Sequence, residues 1–243
     1  MTVAGLPLAA FLAVAAAIFA GVVVQRLAGQ AYGMIAAPVA ALLAPDRMPA
    51  AILLLGIVVG AGAVRADLSA VNWREARWGF LGRALGAFAG AALAAHLADR
   101  GGFGLAVALL VLLAVGLSLS GLRLPIRSAT LVAAGLASGI MGTMTAIGAP
   151  PMALLYAHEP ARRARAMQNL FFLWGMLWSI GALALAGLVG AKHLGLVAAL
   201  LPFALLGLVA AGPAARLLAD RPIRPVALGL ASLAALAILW RSV

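Results

Sequence analysis

Few side chains in this 243-residue chain are able to do chemistry: it has six acidic residues, three histidines and no cysteine. Asp46, Asp67, Glu75, Asp99, Glu159 and Asp220 all fall at the ends of apolar runs or between them, where none would serve as a buried proton or sodium relay. His96, His158 and His193 lie near run ends as well, and Gly116-Leu-Ser118-Leu119 is not a serine-nucleophile motif with a histidine partner. Without cysteine there is no disulfide framework, thiolate metal site or cysteine nucleophile. These absences predict no enzyme and no cofactor. A buried cation would find no counter-charge, so the composition favours an anion or a neutral solute.

Groups suited to an anion cluster in two glycine- and proline-rich segments. The first runs from Gly21 through Gln25, Arg26, Gly29, Gln30, Tyr32 and Gly33 to Pro38; the second runs from Gly135 through Ser138, Gly139, Gly142, Thr143 and Thr145 to Pro151. Hydroxyls and amides there can donate hydrogen bonds to an oxyanion, or bond back to helix carbonyls and glue neighbouring helices. Arg26 is flanked on both sides by long apolar runs. It either pairs with an oxyanion inside the protein or snorkels to the surface at the end of a full span over 1–25. The aromatic stretch from Asn169 to Trp178 follows the basic loop Arg162, Arg163, Arg165 and reads as interface and packing.

The elements that must position these groups sit in lipid. Hydrophobic residues make up 66% of the chain and charged residues 9%, against about 25% charged in a soluble domain. Apolar runs free of charge and histidine recur at 1–25, 27–45, 48–64, 101–122, 128–157, 166–191, 194–215 and 225–240, several of them reaching the ~20 residues a spanning helix needs. No basic residue precedes the first run, so residues 1–25 are expected to stay in the mature protein rather than leave as a signal peptide. The formal charge of +11 comes from arginines in short connections between runs, so it sets topology rather than nucleic-acid binding.

A shift of 113 positions aligns Gly29–Pro38 with Gly142–Pro151 and Asp46 with Glu159. Each half is therefore expected to open with a broken element and continue with three spans: 49–65, 78–97 and 103–120, then 167–190, 193–211 and 225–241. The two membrane repeats would be 1–120 and 121–243, forming one all-α polytopic domain. Each broken element either crosses once or returns to its own side as a hairpin. With returning hairpins one face collects Arg65, Arg74, Arg77, Arg83, Arg123, Arg127, Arg162, Arg163, Arg165, Arg216, Arg221 and Arg224, and the other Arg47, Arg100, Lys192 and Arg241. That is twelve against four with Arg26 set aside, whereas single crossings give eight against eight. The positive-inside rule selects the hairpins, a cytoplasmic basic face, both termini outside and two inverted repeats. In such transporter architectures the N-termini of half-helices present N–H groups and a positive dipole end to anions near the midplane.

The two segments, Gly21-Val-Val-Val-Gln-Arg-Leu-Ala-Gly29 through Pro38 and Gly135-Leu-Ala-Ser-Gly139 through Pro151, resemble the paired signatures of the TauE/SafE sulfite exporter family over essentially the whole chain. Gly29 with Pro38 and Gly142 with Pro151 keep the family spacing, while Arg26 and Met144, Thr145 and Ala146 stand where family glycines are expected. The resemblance implies a permease for sulfite, sulfoacetate, thiosulfate or a related organosulfur anion, often an exporter, and the paired breaks suggest that it works by alternating access. A passive anion channel or an accessory membrane subunit is the alternative. Expected partners are a small anionic substrate and the lipid bilayer, without nucleic acid; a homodimer stays open. High Ala, Gly, Leu and Arg usage suggests a bacterial chain from a GC-rich genome, and hence the inner membrane.

Overall fold

In a computed structural model the chain is an all-α polytopic membrane protein, described over residues 1–28, 31–65, 67–98, 102–218 and 223–242. Gly29, Gln30, Asp99, Arg100, Asp220 and Arg221 lie outside the described residues, as do the side chains of Arg216, Arg224 and Arg241. Among the described residues ten helices follow one another: α1 Leu8–Ala28, α2 Tyr32–Leu43, α3 Ala50–Val64, α4 Trp73–Ala98, α5 Phe103–Leu119, α6 Ser128–Thr145, α7 Ala149–Tyr156, α8 Ala161–Leu185, α9 Ala191–Leu218 and α10 Ile223–Ser242. Five of them, α1, α4, α6, α8 and α9, are long and apolar enough to cross a membrane.

The apolar run at 1–25 is not helical throughout. Thr2–Val3 pairs with Leu6–Pro7 around a two-residue turn at Ala4 and Gly5, both with positive φ, the geometry that closes tight hairpins. The helices α4 and α8 begin five and six residues before the apolar periodicity that predicts them. Arg74, Glu75, Arg77 and the Arg162–Arg165 group are good helix formers, so they continue the helix past the apolar zone. Contacts across the end of the bundle then hold these extensions: Arg163 bonds Glu75 and Glu159 at 2.6 Å each, and Arg165 bonds Asp67 at 2.6 Å.

Both broken elements return to the side on which they start. Arg47, just after α2, donates to the carbonyls of Ala4 at 3.3 Å and of Lys192 at 2.8 Å, so the end of α2 meets the start of α1. In the second hairpin Leu131 near the start of α6 and Leu155 and Tyr156 at the end of α7 share one apolar cluster with Ala76. Tyr156 also donates to Glu75 at 3.3 Å. Because α8 runs about 37 Å from Ala161 to Leu185, the Arg162–Arg165 end and the Lys192 end lie at opposite ends of the bundle.

The 113-residue register holds where the hairpins end, Leu43 matching Tyr156, but slips at the breaks, which fall between Ala28 and Tyr32 and between Thr145 and Ala149. One helical turn separates the two registers, because α2 has 12 residues and α7 has 8. Packing partners nonetheless exchange when α1–α5 are swapped for α6–α10. α4 packs on α6 as α9 packs on α1, α5 on α7 as α10 on α2, and α4 on α8 as α9 on α3, while α3 meets α8 and α5 meets α10.

The basic end carries its own test. Hydrogen bonding from Arg165 holds the Asp67 carboxyl below the usual carboxylate range, with the charges of Arg165, Arg26 and Arg162 adding to it. A carboxyl depressed in the fold stabilises above its unfolded pKa of about 3.9 and loses that contribution as pH falls through the lower folded value. The thermal midpoint in detergent is therefore expected to drop below pH about 4, and Asp67→Asn should lower the neutral-pH midpoint while flattening that acid limb.

Candidate functional site

Arg83 is the residue that the sequence places on the basic surface and the fold takes inside. It lies ten residues into α4, about 15 Å from the helix start, and is 3% exposed. Without it the basic face still carries eleven residues against four.

Glycines bring Arg83 to its place. Gly79, Gly82, Gly86 and Gly90 form a stripe on α4 that packs against Gly135 and Gly139 of α6 with backbone nearly touching backbone. A Cβ at Gly86 would run into the Leu136 carbonyl and the Gly139 Cα. Small residues at this spacing let helices approach closely in lipid, where apolar contact alone gives no preference for helix over lipid. The guanidinium occupies space left by Gly142, Gly148 and Gly175, at each of which a Cβ would collide with it.

One of its amino groups, Nη1, donates to the Ser138 carbonyl and approaches Ser138 Oγ at 3.4 Å. Ser138 Oγ in turn donates to the Gly148 carbonyl, tying α6 to its own break. Arg83 Nε has no hydrogen-bond partner among the described residues. Among the described residues the ion pairs join Arg47 to Asp46, Arg162 and Arg165 to Asp67, and Arg163 to Glu75 and Glu159; none involves Arg83. A buried cation without a carboxylate is electrostatically unfavourable unless something anionic joins it.

The two breaks meet beside this cation. A Cβ at Gly33, in the first turn of α2, would strike the carbonyl of Ala146 in the second break. Ala146 closes α6 in the left-handed conformation, and Thr145 braces the turn by accepting from Ile147 N at 3.0 Å and donating to the Met141 carbonyl at 2.7 Å. Gly33 and Met34 at the start of α2, and Gly148 and Ala149 at the start of α7, thereby line a single cavity of about 30 Å³ together with Arg83, Ser138 and Gln168. The first turns of two helices, where the positive dipole ends lie, thus border the cavity that Arg83 also lines. Met34, Met152, Phe171, Phe172 and Met176 supply apolar walls. Ile147 also lines a second, apolar cavity of about 100 Å³ on the far side of the break, with Pro38, Thr145 and Phe103.

Other residues of the two segments brace the site or stand apart from it. Gln25 accepts from Tyr32 N at 3.0 Å and donates to Asn169 Oδ1 at 2.9 Å, so it caps α2 and links that cap to α8. Tyr32 donates to the Ile52 carbonyl at 3.1 Å, and Thr143 bonds Ser179 at 2.7 Å. Pro151 is buried in the first turn of α7. Arg26 sits away from the cavity, its Nη1 3.4 Å from the carbonyl of Ala63 in the last turn of α3. Sequence reasoning missed Arg83, Gln168 and Asn169. Gln168 Oε1 and Asn169 Nδ2 are buried without hydrogen-bond partners among the described residues. The available signal for Arg83 was its glycine stripe, which puts it on the packed face of α4 and not on a loop.

Among the described residues no group of three or more His, Cys, Asp or Glu side chains is placed to hold a metal. The site is therefore cationic, apolar-walled and formed where two interrupted helices touch. The family model for the sulfite exporter TauE/SafE matches residues 13–238. No curated protein and no solved structure matches the chain. Covering nearly the whole of this polytopic fold, the family match makes the chain a member of the TauE/SafE sulfite exporter family, whose proteins are membrane transporters of sulfur compounds.

Proposed function

We propose that this protein is a permease for a small sulfur oxyanion or organosulfur anion, which Arg83 holds where the two broken helices meet. The observation that carries this reading is a buried guanidinium without a carboxylate partner, facing a cavity lined by the N-termini of α2 and α7. An anion there gains a permanent charge and two helix dipoles together. The exchange of packing partners between α1–α5 and α6–α10 supports two repeats, 1–120 and 121–243. With the charge bias and the returning hairpins it favours inverted halves that rock about the site in alternating access, both termini outside a bacterial inner membrane. A negative interior drives an anion outward, so export needs no coupling carboxylate.

The test is flux of labelled sulfite, sulfoacetate and thiosulfate in proteoliposomes at a set membrane potential. Saturable efflux of at least one of the three, accelerated by unlabelled anion on the opposite side, is the expected result. Flux that never saturates would replace the permease with a channel, and no flux of any of the three would remove transport of these anions.

A further inference from the structure

We propose that the Arg83 cavity selects its substrate by charge: it takes singly charged oxyanions and rejects doubly charged ones of the same size. This rests on the permease reading above and narrows it. Three features of the cavity lead to it.

First, among the described residues Arg83 is the one ionisable side chain in the cavity lining; the neutral polar ones are Ser138 and Gln168, and the rest is apolar or backbone. The nearest elements add nothing of either sign at this depth. Helices α2, α6 and α7 carry no charged residue, Arg74, Glu75 and Arg77 of α4 lie in its first turns with His96 near its other end, and the charged residues of α8 lie in its first turns, engaged with Asp67, Glu75 and Glu159 at the end of the bundle. A monoanion is therefore matched by the one side-chain charge, whereas the second charge of a dianion depends on the two helix ends alone, in a medium that solvates it poorly and where Gln25 and two prolines leave few of their N–H groups free.

Second, donors are scarce. Arg83 Nη1 is engaged by the Ser138 carbonyl and the Ser138 hydroxyl by the Gly148 carbonyl. Pro150 and Pro151 remove two of the first three N–H groups of α7, and Gln25 already occupies the Tyr32 N–H of α2. What remains is one edge of the guanidinium, whose Nε is without a partner among the described residues, and the Gln168 amide in the cavity lining. That supply suits a weakly hydrated monoanion better than a dianion whose oxygens all demand strong donors.

Third, Gln168 presents a buried Oε1 with no donor to meet it. A hydroxyl on the bound anion, as in hydrogen sulfite, satisfies that acceptor while its charged oxygens face Arg83.

The experiment compares methanesulfonate with thiosulfate and sulfate in proteoliposomes, and follows sulfite flux across the pH range in which hydrogen sulfite becomes sulfite. Methanesulfonate is expected to move, or to compete with labelled sulfite, at least tenfold better than either dianion. Sulfite flux is expected to follow the hydrogen sulfite fraction as pH rises, since no other titrating side chain lines the cavity. Gln168→Lys, which places a second positive charge there, is expected to shift the ratio at least tenfold toward thiosulfate. Thiosulfate handled as well as methanesulfonate by the wild-type protein would overturn charge selection and leave the permease standing. Absence of flux for every sulfur anion would overturn the permease reading and this inference with it.

Discussion

Arg83→Gln will abolish saturable anion flux and leave a protein at least as stable to heat as the wild type. Hydrogen bonds to charged groups contribute about 1.5–3 kcal/mol each. Losing two of them at the anion lowers flux on the order of a hundredfold or more. Stability should move the other way. The wild type holds a buried cation with Nε unsatisfied and no carboxylate beside it, an arrangement that costs folding free energy and that a neutral amide relieves. Arg83→Lys keeps the charge but loses the planar fork and some reach, so an intermediate loss is expected. The combination of dead and stable is the diagnostic, because a purely structural arginine would give loss of flux through loss of fold. Flux measured beside thermal unfolding in detergent separates the two; flux within twofold of wild type would remove Arg83 from the site.

The contact that carries Arg83 into the interior is the target of the second prediction. Gly86→Ala should lower the thermal midpoint on the order of 5 °C, and Gly86→Leu should prevent accumulation of folded protein. Overpacking costs about 1–3 kcal/mol where side chains can shift, and each kcal/mol moves the midpoint of a chain of this size by roughly 2–4 °C. Here the added Cβ meets backbone, the Leu136 carbonyl and the Gly139 Cα, which cannot rotate away. Gly116 on α5, with open space around it, is the control: Gly116→Leu should leave folding nearly unchanged. Equal behaviour of the two variants would show that the α4–α6 approach is not tight in the membrane.

Much of the architecture was legible in the chain because lipid permits few solutions. Apolar runs of spanning length must be helices, since no water is available to satisfy their backbone groups. Glycine and proline clusters mark where two of those helices break, and the arginine imbalance distinguishes a returning hairpin from a crossing. The contacts of Arg47 with Ala4 and Lys192, and of Tyr156 with Glu75, have the hairpins returning as that imbalance requires. The break positions themselves were legible only to within one helical turn. A local pattern sees the glycines and prolines but not how long α2 and α7 need to be to reach their neighbours.

The sequence by itself determined the solvent, the helices, the presence of two breaks and the absence of any acidic residue deep in a span. Tertiary structure alone decided which arginine is inside. Arg26, flanked by long apolar runs, ends beside the last carbonyls of α3, whereas Arg83, ten residues into a helix whose first turns are charged, is buried. The physical reason is that burial of a side chain is a property of what packs against it. Gly142, Gly148 and Gly175 come from α6, its break and α8, up to ninety-two residues away in sequence, and together they leave the space a guanidinium fills.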